Sequence, residues 1–230
     1  MRAHHLIAIL ASTTIVISQS AIALNAIEAA IVPEADIVGT LNVRSANNSA
    51  IVKMLSAEGT NENDPANGTM LAKAARFEAA TGITADDVVS VAFSCDIDTA
   101  KLDATTPNER VSNMNALLAV QLAKPITIDK LKLALKLEYG SEASAGVTEV
   151  TIGATRGLKI NATTPTDPAI YLTIAPGGNI LVASFNAEAL ESMQQRIATG
   201  ALAQESDVLT VLDKGTRRTA QIRTVFKVPA

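Results

Sequence analysis

Asp96 and Asp98, with Asp103 a little further on, are the carboxylates whose spacing could do chemistry in this chain. Side chains alternate along a strand, so an Asp-x-Asp pair at a strand end places both acids on one side. Two carboxylates so placed can divide acid and base duties in a hydrolysis, or hold a hard cation through oxygen. Asp86 and Asp87 upstream could join them. Neither a glycine turn nor a third ligand at calcium-loop spacing follows, and a solvated strand end accounts for the pair more simply. Asn61, Asn63, Asp64 and Asn67 also offer oxygen ligands, but without the bidentate glutamate of an EF-hand they read as a polar turn.

The other usual agents of catalysis are scarce. The only histidines, His4 and His5, lie in a stretch that reads as a secretory leader: Arg2, the apolar run Leu6–Ile17, and the small-x-small site Ala21-Ile22-Ala23. The run is short for a membrane span, which needs about 20 apolar residues. Cleavage after Ala23 leaves 24–230 without imidazole, which excludes Ser-His-Asp and Cys-His catalysis and His-ligated metals. There is no tryptophan, and Cys95 is the one cysteine, so no internal disulfide can form. Cys95 sits in the apolar run Val91-Ala92-Phe93-Ser94-Cys95 and reads as a small buried hydrophobe. No Gly-x-Gly pair occurs, which removes the dinucleotide and phosphate-loop signatures. No serine precedes a lysine by three residues, which removes the simplest histidine-free serine hydrolase. No cofactor is implied.

Charge narrows the partners. The chain carries −4, and loss of Arg2 with the leader takes it to −5, a balance that repels phosphate backbones. Two tyrosines and four phenylalanines are the only aromatics available to stack on bases. Nucleic-acid binding is disfavoured. Positive charge gathers late, at Lys214, Arg217, Arg218, Arg223 and Lys227. Arg217, Arg218, Arg223 and Lys227 could meet an anion or a partner, although charge on a terminal strand also serves to deter another sheet from adding on.

The elements that must position these residues centre on 169–197. Ala169–Ala175 and Ile180–Phe185 read as strands around Pro176-Gly177-Gly178-Asn179, whose glycines tolerate φ > 0. Asn186 then caps a helix to Ile197, with Leu190, Met193 and Ile197 forming one stripe. Earlier, 24–34 reads as a linker, Ala35 begins a strand, and Asn48 or Ser49 can cap a helix to about Ala57. A loop, Gly59–Gly68, precedes a helix over Thr69–Ala80 that ends at Gly82, with Ile83 folding back on Phe77. Thr84 caps a short turn. Val88–Ile97, nearly all apolar, reads as a strand inside the sheet and covered on both faces. Asp98–Met114 is an exposed connection and Ala116–Ala123 another strand.

Ile128–Glu138 alternates like a strand at Leu131, Leu133, Leu135 and Leu137, yet its Leu, Lys, Ala and Glu content favours a helix. Its lysines scatter around the helical wheel, unlike those of a membrane-surface helix, so membrane association is not expected. Val147–Ala154 and Leu158–Ala162 read as paired strands around Thr155-Arg156-Gly157. A short helix over Ser206–Asp213 and a last strand over Thr219–Val228 complete the order.

Strand followed by capped helix occurs at Ala35–Ala57, Ala116–Glu138 and Ile180–Ile197. This layout fits an α+β domain over 35–230: a largely antiparallel mixed sheet with helices on one face. Duplicated ferredoxin-like β-α-β units, in halves of about 35–140 and 141–230, would fit it too. The layout, with the stretch Phe-Glu-Ala-Ala-Thr-Gly-Ile-Thr-Ala-Asp-Asp-Val at Phe77–Val88 leading into a strand, resembles secreted bacterial proteins of unknown function built from ferredoxin-like α+β units. That resemblance carries no catalytic motif. The expectation is an exported domain, periplasmic or extracellular, that binds a protein partner or small ligand through its surface. The alternative is a carboxylate-based hydrolase using Asp96 and Asp98.

Overall fold

The computed structural model describes residues 27, 35–43, 65–96, 115–143, 146–161, 168–199 and 222–226. Eight strands form one sheet: β1 (Ile37–Leu41), β2 (Val88–Asp96), β3 (Asn115–Leu122), β4 (Val147–Ile152), β5 (Thr155–Ile160), β6 (Ile170–Ile174), β7 (Ile180–Ser184) and β8 (Ile222–Phe226). Their order is β4-β5-β6-β7-β3-β2-β1-β8, and every ladder is antiparallel. Among the described residues three complete helices accompany them: α1 (Pro65–Thr81), α2 (Ile128–Ala143) and α3 (Ala187–Thr199). The α+β class stands.

The expectation of helices on one face does not. Alternation along β7 sends Ile180 and Val182 to one side, where they share a core cluster with Leu190 and Met193 of α3. Leu158 of β5 and Leu172 of β6 face the other side, in a cluster with Leu131 and Leu135 of α2 and, at its edge, Phe77 of α1. Strands buried on both sides need a helix over each: β7 carries Ile180 and Val182 at one parity and Leu181 and Ala183 at the other, and β6 sets Tyr171 against Leu172. Nor is a duplicated ferredoxin-like arrangement confirmed. In that fold the strands joined by a helix leave room for another between them, whereas β1 and β2, on either side of α1, are immediate neighbours.

Local chemistry explains the helix ends. The Asn186 side chain accepts the Glu188 backbone N–H at 2.9 Å, as a cap should. Proline supplies the first residue of α1, where no N–H is needed, so that helix starts ahead of Thr69. Gly82 closes it at φ 75°, and its N–H bonds the Glu78 carbonyl at 2.7 Å. Segment 128–143 is helix, longer than the sequence pattern suggests. Leu131 and Leu135 are buried in it, while Leu133 and Leu137 face outward. The β4–β5 turn falls two residues early, at Gly153-Ala154. Gly153 supplies the positive φ there, and Thr155, Arg156 and Gly157 belong to β5.

The β6–β7 hairpin turns through Gly177 and Gly178, both at positive φ. It also holds its neighbours: Asn179 O accepts from Leu122 N at 2.7 Å and Gly178 O from Ile126 N at 2.8 Å. The far end of the sheet is anchored differently. Ile27, in the stretch expected to be a linker, is fully buried in the α3-side cluster with Ala35, Val38 and Ala92.

Candidate functional site

The registers place one transverse row on the α2 side of the sheet: Glu149, Leu158, Leu172, Ala183, Leu118, Phe93, Gly39 and Thr224. Cover decays along it. Leu158 is 0% exposed and Leu172 3%; Ala183 and Leu118 are half-buried; Phe93 is 41% exposed. Phe93 lies in β2, which has a strand on each side. Only a covering layer could hide it, and α2 stands over β4 and β5 instead.

Gly39 makes room for that ring. A Cβ at Gly39 would collide with Phe93 Cε1 and Cζ, so the ring takes the space beside the glycine that a side chain would fill, an aromatic filling the gap of a strand glycine. Half-buried Ile37, Cys95, Ala116 and Leu118 adjoin it on the same side. The patch is apolar and interior to the sheet, which sets it apart from a lone exposed leucine on a helix such as Leu133.

Cys95 is therefore half-buried, not the fully buried hydrophobe the sequence suggests. Burial raises its thiol pKa, and the charges of Asp96 and Asp36 add to the effect, so it stays protonated near neutral pH.

The carboxylates do not assemble into a described site. Asp96 ends β2 with the parity of Ala92 and Ser94, on the α3 side, opposite Phe93. Asp98 and Asp103 lie outside the described residues. Asp86 is exposed. Asp87, just before β2, is buried and structural: its Oδ2 accepts the Thr84 backbone N–H at 2.9 Å, the Thr84 hydroxyl at 3.0 Å and Lys124 Nζ at 3.0 Å. The Thr84 N–H and then Lys124 hold its pKa below the usual carboxylate range, the wrong direction for a general acid. Asp96 lies nine residues beyond Asp87 along β2, about 30 Å at the usual rise, where a hydrolytic pair needs about 5–9.5 Å. Among the described residues no group of three His, Cys, Asp or Glu could hold a metal.

Of the basic group, Arg223 falls in β8 opposite Thr40; Arg217, Arg218 and Lys227 lie outside the described residues. An ion network the sequence reading missed joins α2 to the β4–β5 hairpin. Arg156 donates to both Asp129 oxygens at 2.7 and 3.3 Å and to Glu149 at 2.5 Å, and Lys132 reaches Glu149 at 3.2 Å. Arg156 and then Lys132 pull the Glu149 pKa down to about 2. Its members satisfy one another, so it is a brace. No helix among the described residues is long and apolar enough to cross a membrane.

Phe93 was also missed, because it sits in an apolar run that reads as buried throughout. The available signal was Gly39, a glycine inside a strand pattern, which marks close approach of another group. No family model, curated protein or solved structure matches the chain.

Proposed function

We propose that this chain is an exported, non-enzymatic binding domain that takes a protein partner or a small apolar ligand on the α2 side of β1–β3, around Phe93. One observation carries the reading: a phenylalanine 41% exposed on an interior strand of the sheet. Covering such a ring together with half-buried Leu118 and Ile37 removes apolar area from water, worth about 25 cal/mol per Å². Export draws its support from the leader pattern at 1–23 and from the resemblance to secreted bacterial proteins. The absence of imidazole after cleavage and the scattering of Asp86, Asp87 and Asp96 favour binding over hydrolysis.

A fluorescent apolar probe such as anilinonaphthalene sulfonate tests the face directly. The wild type should bind it, and Phe93→Asp should weaken binding at least tenfold without lowering the melting temperature. Unchanged probe binding by a folded Phe93→Asp variant would move the site elsewhere and end this reading.

A further inference from the structure

The outer edge of the sheet at β4 carries an inference independent of the Phe93 face. Asn161 N–H bonds the Gly146 carbonyl at 2.6 Å, so 146 and 161 form a hydrogen-bonded pair. Pairs of that kind recur at every second residue of an antiparallel ladder. With the register Thr148↔Lys159 and Val150↔Gly157, the bonds to β5 use 148, 150 and 152. The N–H and C=O of Glu149 and Thr151 therefore point away from the sheet, and among the described residues no strand lies beyond β4.

This edge lacks the usual protection. The β4 sequence, Val-Thr-Glu-Val-Thr-Ile, has no proline or lysine, and its register with β5 runs unbroken, without a bulge. Its single charge, Glu149, is engaged by Arg156 and Lys132 of its own chain. The other edge, β8, differs in carrying Arg223. Thr148, Glu149 and Thr151 are exposed, whereas Val147 is buried, so the accessible stretch begins at Thr148.

We propose that β4 pairs antiparallel with β4 of a second copy about a twofold axis at Val150, continuing the sheet across the dimer. A second copy fits because the open groups complement themselves in this register. Glu149 of each chain lies opposite Thr151 of the other as a hydrogen-bonded pair, which supplies about four interchain bonds. Like-charged glutamates are kept apart, whereas a twofold at Glu149 would set them face to face. Val150 meets its own copy as a non-hydrogen-bonded pair, with Cα atoms about 4.5 Å apart, within reach of a disulfide.

The full chain, purified from a host that exports it, should sediment as a dimer at micromolar concentration. Thr151→Pro removes only an outward N–H, so it should leave the circular dichroism unchanged and raise the dimer dissociation constant at least tenfold. Val150→Cys in a Cys95→Ser background should form a covalent dimer with oxidised glutathione. A single-chain mass across the whole concentration range overturns the proposal. So does a dimer that survives Thr151→Pro and gives no Val150→Cys cross-link, since its interface must then lie elsewhere. Phe93→Asp should leave the dimer intact, which separates this test from that of the binding face.

Discussion

Two halves of one sheet are finished in different ways. The β4–β7 half lies between α2 and α3, with Leu158, Leu172 and Val182 almost wholly buried. The β1–β3 half has buried Val38 and Ala92 on the α3 side; on its other side Val91 and Val120 are buried, but the face ends in Phe93, Leu118 and Ile37, none of them fully covered. Both halves are rich in apolar residues, so composition does not separate them. What separates them is where the helices stand. A sheet of this width presents more apolar surface than α2 can cover, and the remainder is either covered by something else or paid for in exposed area.

Core truncation should expose the contrast most strongly. Leu158→Ala leaves a cavity between α2 and β5, with an expected cost of about 2–5 kcal/mol. Leu118→Ala, on a half-open site that can collapse or fill with water, should cost about 1 kcal/mol. Urea unfolding measures both, and equal losses would mean that the two halves are equally packed.

The two strand glycines give the next test. A Cβ at Gly157 would meet the Leu172 carbonyl oxygen at 2.9 Å and the Ile152 side chain. Backbone cannot step aside, so Gly157→Ala should cost about 1–3 kcal/mol. At Gly39 the nearest obstacle is the Phe93 ring, and that ring is 41% exposed. Gly39→Ala should swing the ring toward solvent, change stability by less than about 1 kcal/mol, and raise probe fluorescence. A loss at Gly39 as large as at Gly157 would show that Phe93 is firmly held, and would weaken its claim as a binding residue.

These contrasts also show what could be read in advance. The β6–β7 hairpin, the Asn186 cap, and the Gly82 stop depend on a few neighbouring residues, and the structure has them where the sequence put them. The β4–β5 turn was misplaced because Gly153 and Gly157 are both plausible turn residues. Only packing decides that Gly157 lies under Leu172 and Ile152. Helix sidedness was illegible for a related reason: strands with apolar residues at both parities do not say which helix covers which face. The exposure of Phe93 depends on where α2 stops, a tertiary fact that no local pattern contains.

Polar ties sharpen the description of the closed half. Gln194 of α3 is buried and donates through Nε2 to the hydroxyls of Thr155 and Thr173. Those hydroxyls donate onward to the carbonyls of Ile152 and Arg156, at 3.2 and 3.5 Å. Gln194→Leu keeps the bulk and removes the donor, so it should cost about 1–2 kcal/mol by thermal or urea unfolding. The loss should be accompanied by faster amide exchange in α3, and no change in exchange there would detach this tie from the stability of the closed half.

The smallest effect is expected from the brace between α2 and the β4–β5 hairpin, and its sign is set by Glu149. Its folded pKa of about 2 lies below the ordinary carboxylate value of 4.5. The ionised form is thus favoured by folding, and the contribution is complete above the unfolded pKa. It should fade as pH falls from about 4.5 toward 2, where Glu149 takes up a proton and releases Arg156 and Lys132. Glu149→Gln removes the charge at every pH, so its stability deficit should be constant above pH 5 and vanish near pH 2. Because the partners are solvent-exposed, 1 M salt, with a Debye length of about 3 Å, should shrink the deficit even at neutral pH. A deficit that ignored both pH and salt would mean that the side chain's packing, and not its charge, holds α2 over this half of the sheet.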